Sequence, residues 1–260
     1  MHEEGPLPLL ITGLLGALIG SFLNVCIYRL PRQESIAWPG SHCPKCSHPI
    51  AWYDNIPILS YSALGGRCRH CTVRIPFRYP LVEILNASGY VALLWVFGLS
   101  WVTVVYGLFY SALLVVAGTD LSHKIIPNAV TFPGIIVGLV CATTVLPLGF
   151  LDGLLGVLVG GGILWLLAWA SPYLFGKEGM GGGDIKLLAM IGAFLGWQLA
   201  LMTIMVGSLL GSLVGVTLIA AQIIKREDYI PFGPFLVCGA LVALFFGRSL
   251  LDWYQGLMAG

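Results

Sequence analysis

Two carboxylates and four thiols carry the chemistry that this sequence offers. Asp120 closes an apolar run in Gly118-Thr119-Asp120-Leu121-Ser122-His123-Lys124-Ile125-Ile126-Pro127. Asp184 opens another in Gly179-Met180-Gly181-Gly182-Gly183-Asp184-Ile185-Lys186. Ionisable groups beside hydrocarbon are costly and tend to be functional. Two carboxylates brought together cannot both ionise easily, so they share a proton. One can then act as general base on a water and the other as general acid, which is aspartic protease chemistry. Taken singly, each residue also has a plainer reading. Asp120 could be a solvated loop carboxylate, and Asp184 could be an N-cap after a flexible turn.

The glycines at 181, 182 and 183 permit positive φ and close backbone approach, so a substrate chain could lie against them with Lys186 one turn further on. A phosphate-cradling loop is excluded, because no Gly-Lys-Ser/Thr follows. Helix ends predict the roles: Asp184, at a positive end, would be the base and Asp120, at a negative end, the acid. Most other acidic residues (Glu3, Glu4, Glu34, Asp54, Glu178, Glu227, Asp228 and Asp252) fall in loops or tails where solvation explains them. Asp152 starts a helix, where a carboxylate suits the dipole. Glu83 is the third acid at the end of an apolar segment. It reads either as functional or as an interfacial carboxylate paired with Arg78.

Cys43-Pro44-Lys45-Cys46 and Cys68-Arg69-His70-Cys71 form two C-x2-C pairs separated by 21 residues. Two such knuckles close a four-sulfur site with the geometry of structural zinc. Four thiolates leave no position for a catalytic water, so the metal would hold the insertion, which is too small to fold unaided. A disulfide framework is the alternative, and a reducing compartment counts against it. Cys26, Cys141 and Cys238 lie in apolar segments and read as core residues.

The elements that must position these groups are membrane helices. Of 260 residues 58% are hydrophobic and only 10% charged, where soluble domains average roughly a quarter charged. The N-terminus lacks the positive stretch and cleavage site of a signal peptide, so the first apolar segment is expected to be retained. The expected fold is an all-α polytopic membrane protein of about eight transmembrane helices, near 9–28, 81–97, 101–118, 131–148, 153–171, 185–196, 199–222 and 234–251. A small zinc-ribbon-like insertion lies between helices 1 and 2. The expected division is a first helix over 1–30, a four-cysteine cytoplasmic domain over 31–80 and a helical membrane domain over 81–260. Eight crossings place every Lys and Arg except Arg248 on one side. Short basic loops stay cytoplasmic, so the insertion, Asp120 and Asp184 are expected at the cytoplasmic face. Glycines at three- and four-residue spacing (156, 160, 161, 162; 207, 211, 215) predict close helix packing.

These motifs together resemble the type IV prepilin peptidases. The resemblance runs through Gly20-Ser21-Phe22-Leu23-Asn24-Val25, Arg29-Leu30-Pro31, both cysteine pairs, Asn55-Ile56-Pro57-Ile58-Leu59-Ser60-Tyr61 and Arg78-Tyr79-Pro80-Leu81-Val82-Glu83. It continues through the Asp120 and Asp184 segments to Pro231-Phe232-Gly233-Pro234-Phe235. It implies a bifunctional enzyme of the bacterial inner membrane. Such an enzyme cuts the leader from prepilins or type II secretion pseudopilins at the cytoplasmic face, then methylates the new N-terminus with S-adenosylmethionine. The family's catalytic aspartates fall on Asp120 and Asp184, its metal cysteines on Cys43, Cys46, Cys68 and Cys71, and its methyl-transfer region on the insertion and Glu83. Acidic Glu178, Asp184 or Glu227 would help to seat a basic leader. Prepilin precursors and the lipid bilayer are the expected partners, a homodimer is compatible with the sequence, and no nucleic acid is expected. The rivals are a transporter using Asp120 and Asp184 as proton or ion sites, a scaffold built around a zinc ribbon, and an intramembrane protease of the presenilin type.

Overall fold

The computed structural model describes residues 5–175, 181–225 and 230–259. These residues are helical, with no β-strand among them beyond isolated bridges. Eight apolar helices lie where hydropathy places them: α1 (Pro6–Arg29), α3 (Arg78–Phe97), α4 (Trp101–His123), α5 (Asn128–Thr144), α6 (Phe150–Phe175), α7 (Gly182–Leu195), α8 (Trp197–Ala220) and α9 (Gly233–Ala259). A five-residue helix, α2 (Leu59–Ala63), lies in the insertion. Six of the eight are long and apolar enough to cross a bilayer, while α5 has 17 residues and α7 only 14. At about 1.5 Å per residue α7 reaches roughly 21 Å, short of the ~30 Å hydrocarbon layer.

The chain divides into two compact units, residues 1–115 and 116–260. In the C-terminal unit α7 is the central helix. Every residue from Leu187 to Leu195 is buried, with α5, α6, α8 and α9 packed around it. A helix that is apolar all round belongs in a core, which is why so short a segment forms one here. Glycine brings its main neighbour close. A Cβ on Gly156 of α6 would clash with the Gly192 carbonyl of α7, and one on Gly192 with the Gly156 carbonyl. Gly160 and Gly207 are also tight, against Leu188 of α7 and Phe235 of α9. Gly162 shares their spacing but faces open space.

In the N-terminal unit α1 packs on α3. Gly16 and Gly20 of α1 leave room for the α3 backbone at Ala87 and Glu83. Asn86, inside this pair, is fully satisfied at its two polar ends. Its Nδ2 donates to the Gly16 carbonyl at 2.7 Å, and its Oδ1 accepts from Ser111 Oγ at 3.0 Å. Buried side chains need such partners, because an unmet group costs about 1–3 kcal/mol.

Candidate active site and metal centre

In the C-terminal unit three chain segments converge on two acids. Asp120 lies in the last turn of α4 and is 3% exposed; Asp184 is the third residue of α7 and is 4% exposed. The Asp120 carboxylate lies close enough to act electrostatically on Asp184. Pro127 precedes α5 after a break, so α4 ends at His123 and leaves Asp120 at a helix terminus. The third segment is the start of α9. The Gly233 N–H donates to Asp120 Oδ2 at 3.0 Å, which leaves Oδ1 for a proton or a water. A Cβ on Gly233 would sit 2.6 Å from that same oxygen. Ile126 fills the space between the segments, packing against Gly183 on one side and Gly233 on the other.

The plainer readings of both acids fail on this geometry. Asp120 is buried rather than solvated. Asp184 is no N-cap: Gly181 holds that position, and no side chain caps the helix. The glycines serve differently from the expectation. Gly181 has φ −77°, and none of the three adopts positive φ. Gly183 is needed for the approach of Ile126, while space is open beside Gly182. Lys186 has a local partner, since its Nζ donates to Asn128 Oδ1 at 2.6 Å and ties the start of α7 to the start of α5. Glu178 and Glu227 lie outside the described residues. Gly233 belongs to a sequence motif without standing out there as a site residue. Its signal is a glycine between Phe232 and Pro234 at the mouth of an apolar helix.

In the N-terminal unit the four cysteines gather. Their sulfurs all lie within 4.8 Å of one another, Cys43 and Cys71 at 3.7 Å, and no disulfide links them. The two knuckles are built alike. Cys43 N–H donates to the His48 carbonyl and Cys68 N–H to that of Val73. Ser47 and Thr72, each just after the second cysteine of its pair, take matching left-handed φ of 56° and 55°. The N–H of Cys46, with that of Lys45, pulls the Cys43 thiol down to about 6. The Val73 N–H lowers Cys71, but burial and the neighbouring sulfurs push it up to about 11. Four sulfurs so close ionise together only around a cation. Zn–S bonds of about 2.3 Å in a tetrahedron demand this spacing, so the donor set fits zinc.

Beside the knuckles a cavity of about 380 Å³ opens between α1, α3 and the insertion. Glu83 lines it and is 8% exposed. Its Oε2 accepts the Ile58 N–H at 2.7 Å, and the Ser21 hydroxyl lies alongside. Ile58 has φ 64° and ψ −48°, closed by a Leu59 N–H to Pro57 carbonyl bond of 2.6 Å. This is a γ-turn, rare and strained, and more so for a β-branched residue.

The chain is similar to known proteins along nearly its whole length. Residues 14–97 match the Bacterial Peptidase A24 N-terminal domain, and residues 107–216 match the Type IV leader peptidase family. A protein of Pseudomonas aeruginosa named prepilin leader peptidase/N-methyltransferase is 38% identical, over 94% of this chain and 92% of its own. Proteins of the same name from Stutzerimonas stutzeri (38% identical, 96% and 95% covered) and Aeromonas salmonicida (38%, 93% and 91%) match as fully. No solved structure matches. Identity at this level along nearly the whole length of both chains is not fold likeness alone, and the chain belongs to the type IV leader peptidase family.

Proposed function

We propose that this protein cuts the leader peptide from type IV prepilins, or from the pseudopilins of type II secretion, and N-methylates the amine that cleavage exposes. The relatives' shared name supports both halves of that reading. One observation carries the hydrolytic half: two buried carboxylates from distant parts of the chain, Asp120 and Asp184, share one site. In this reading Asp184 takes a proton from the attacking water and Asp120 protonates the leaving amine. The Gly233 N–H fixes one Asp120 oxygen, and the open side of Gly182 gives the substrate backbone room. Charge bias puts this chemistry at the cytoplasmic face of a multi-pass inner-membrane protein. The transporter reading is disfavoured, because carboxylates at helix ends do not match ion sites at broken helices near the midplane.

Zinc held by Cys43, Cys46, Cys68 and Cys71 would be structural, closing the insertion over the α1–α3 pair. S-adenosylmethionine, when bound, supplies an electrophilic methyl group. The cavity beside the knuckles fits such a ligand in volume, since small-molecule sites start near 300 Å³. It fits in chemistry too: Tyr28, His48 and His70 offer aromatic faces along its wall. The test is to incubate the purified chain in lipid with a prepilin and S-adenosylmethionine. Mass spectrometry should report loss of the leader and gain of one methylene on the mature chain. An unprocessed precursor at full enzyme occupancy would refute the proposal.

A further inference from the structure

The cavity of the N-terminal unit is lined by two buried acceptors, the Glu83 carboxylate and the Asn24 amide oxygen. Glu83 is a buried carboxylate whose partners are neutral donors, the Ile58 N–H and the Ser21 hydroxyl. Arg29 lines the same cavity, but its guanidinium is committed to the carbonyls of Ser35 at 2.8 Å and Gly40 at 3.2 Å. Arg69, also on the wall, is held by Asp54, Lys45 and Arg74 are exposed, and His48 stacks on His70 with ring centroids 3.4 Å apart. Asn24, 3% exposed and on the same wall, has an Oδ1 with no hydrogen-bond partner, because its amide is turned to the Tyr79 and Gly20 carbonyls. Three features hold Glu83 in this place. Gly20 lets α1 lie against its Cα, the strained turn at Ile58 aims an N–H at Oε2, and Ser21 flanks it. Strain of this kind persists where the surrounding structure enforces it, commonly at functional sites.

A carboxylate with acceptor sites to spare beyond its two neutral donors, and an amide oxygen with no donor, suit an ammonium group, which has three N–H bonds and no acceptor. Leader cleavage produces one such group, the new α-amine. Resting on the N-methyltransferase reading above, we propose that Glu83 is a catalytic residue of methyl transfer, binding the α-amino group of the cut chain and taking its proton. The balance closes. The ammonium gives one proton to the Glu83 carboxylate, and the freed nitrogen lone pair forms the N–CH3 bond. The S–CH3 bond of the donor breaks with its electron pair left on sulfur, and the proton passes from Glu83 to water. Ile58 N–H, on Oε2, keeps the other oxygen turned to the amine.

The test uses the full chain in nanodiscs, radiolabelled S-adenosylmethionine and a peptide that begins at the cut site with a free amine, so cleavage plays no part. Glu83→Gln keeps an acceptor for Ile58 N–H but cannot take a proton. Equilibrium binding of S-adenosylmethionine should stay within about twofold, while methyl incorporation should fall by about 10² to 10⁴, the usual worth of a positioned base. Its residual rate should climb with pH up to the ordinary amine pKa near 8, a dependence that the native enzyme shows far less steeply. A purely structural tie would not create that profile. Glu83→Asp, which keeps the charge, should recover part of kcat with a raised KM for the peptide. A Glu83→Gln enzyme that methylates at the native rate overturns the proposal. So does one that loses S-adenosylmethionine binding, or a Glu83→Asp enzyme no better than the amide. A native enzyme that binds S-adenosylmethionine yet never methylates the peptide instead overturns the transferase reading on which the proposal rests.

Discussion

The two units solve the problem of holding reactive groups in opposite ways. The C-terminal unit positions its acids by packing. The α7 helix is buried along its length from Leu187 to Leu195, and Gly156 and Gly192 let the helix backbones touch. The N-terminal unit positions Glu83 with a segment that has almost no apolar core of its own. It is held by two knuckles, a strained turn and four thiols gathered closely enough to share one cation. Dense helix packing therefore holds one half, and in the zinc-bound reading metal ligation holds the other. The two halves should fail differently when disturbed.

The largest effect is expected where packing leaves no slack. Gly156→Leu must separate α6 from α7, since even a Cβ clashes with the Gly192 carbonyl. Overpacking costs typically about 1–3 kcal/mol and more where backbone must move. Loss of the folded C-terminal unit is expected, read as a lowered unfolding temperature in detergent and lost cleavage, with zinc content retained. The N-terminal unit should show the converse. Stripping the metal with a strong chelator, or replacing Cys43 and Cys68 with Ser, should expose residues 31–77 to protease. Methyl transfer should be abolished while unfolding of the helical part is much less affected. Metal analysis of the native chain should give one zinc per chain; a chain that stays protease-resistant without metal would erase the contrast. A smaller effect is expected at Gly233→Ala. The new methyl would press on Asp120 Oδ2 and disturb its N–H bond, lowering kcat for cleavage by about 10- to 100-fold with stability nearly unchanged. The smallest belongs to Lys186→Ala, which removes an exposed tie to Asn128. Exposed polar contacts are worth about 1 kcal/mol or less, so a loss of a degree or two in unfolding temperature and a change of at most a few-fold in cleavage are expected.

Much of this arrangement is legible in residue order. Apolar runs locate the eight helices, and the C-x2-C spacing locates a site that the fold then closes. The acids can be sorted because a carboxylate beside hydrocarbon is expensive, and Asp120 and Asp184 are the buried pair. What stays hidden depends on contacts between distant segments. Hydropathy cannot distinguish α7, enclosed by protein, from a lipid-facing span, because both are simply apolar. Gly162 shares the spacing of Gly156 and Gly160, but helix azimuth turns it toward open space. The expectation that Gly181, Gly182 and Gly183 use positive φ comes from what glycine permits. The structure uses one of them for proximity instead, against Ile126. Gly233 joins the site from more than a hundred residues away, with only a short loop motif to announce it. The turn at Ile58 is invisible beforehand, since nothing about isoleucine predicts a left-handed φ.

The claim on which the account stands is that Asp120 and Asp184 work as one unit. Its most direct test is the cleavage rate of a prepilin by Asp120→Asn, Asp184→Asn and the double variant, each checked for fold by zinc content and unfolding temperature. Groups that act together are strongly non-additive. Each single change should drop cleavage by about 10³-fold or more, to the same floor as the double, while transfer to an already cut peptide persists. A folded single variant that still cleaves at a tenth of the native rate or better would contradict the account.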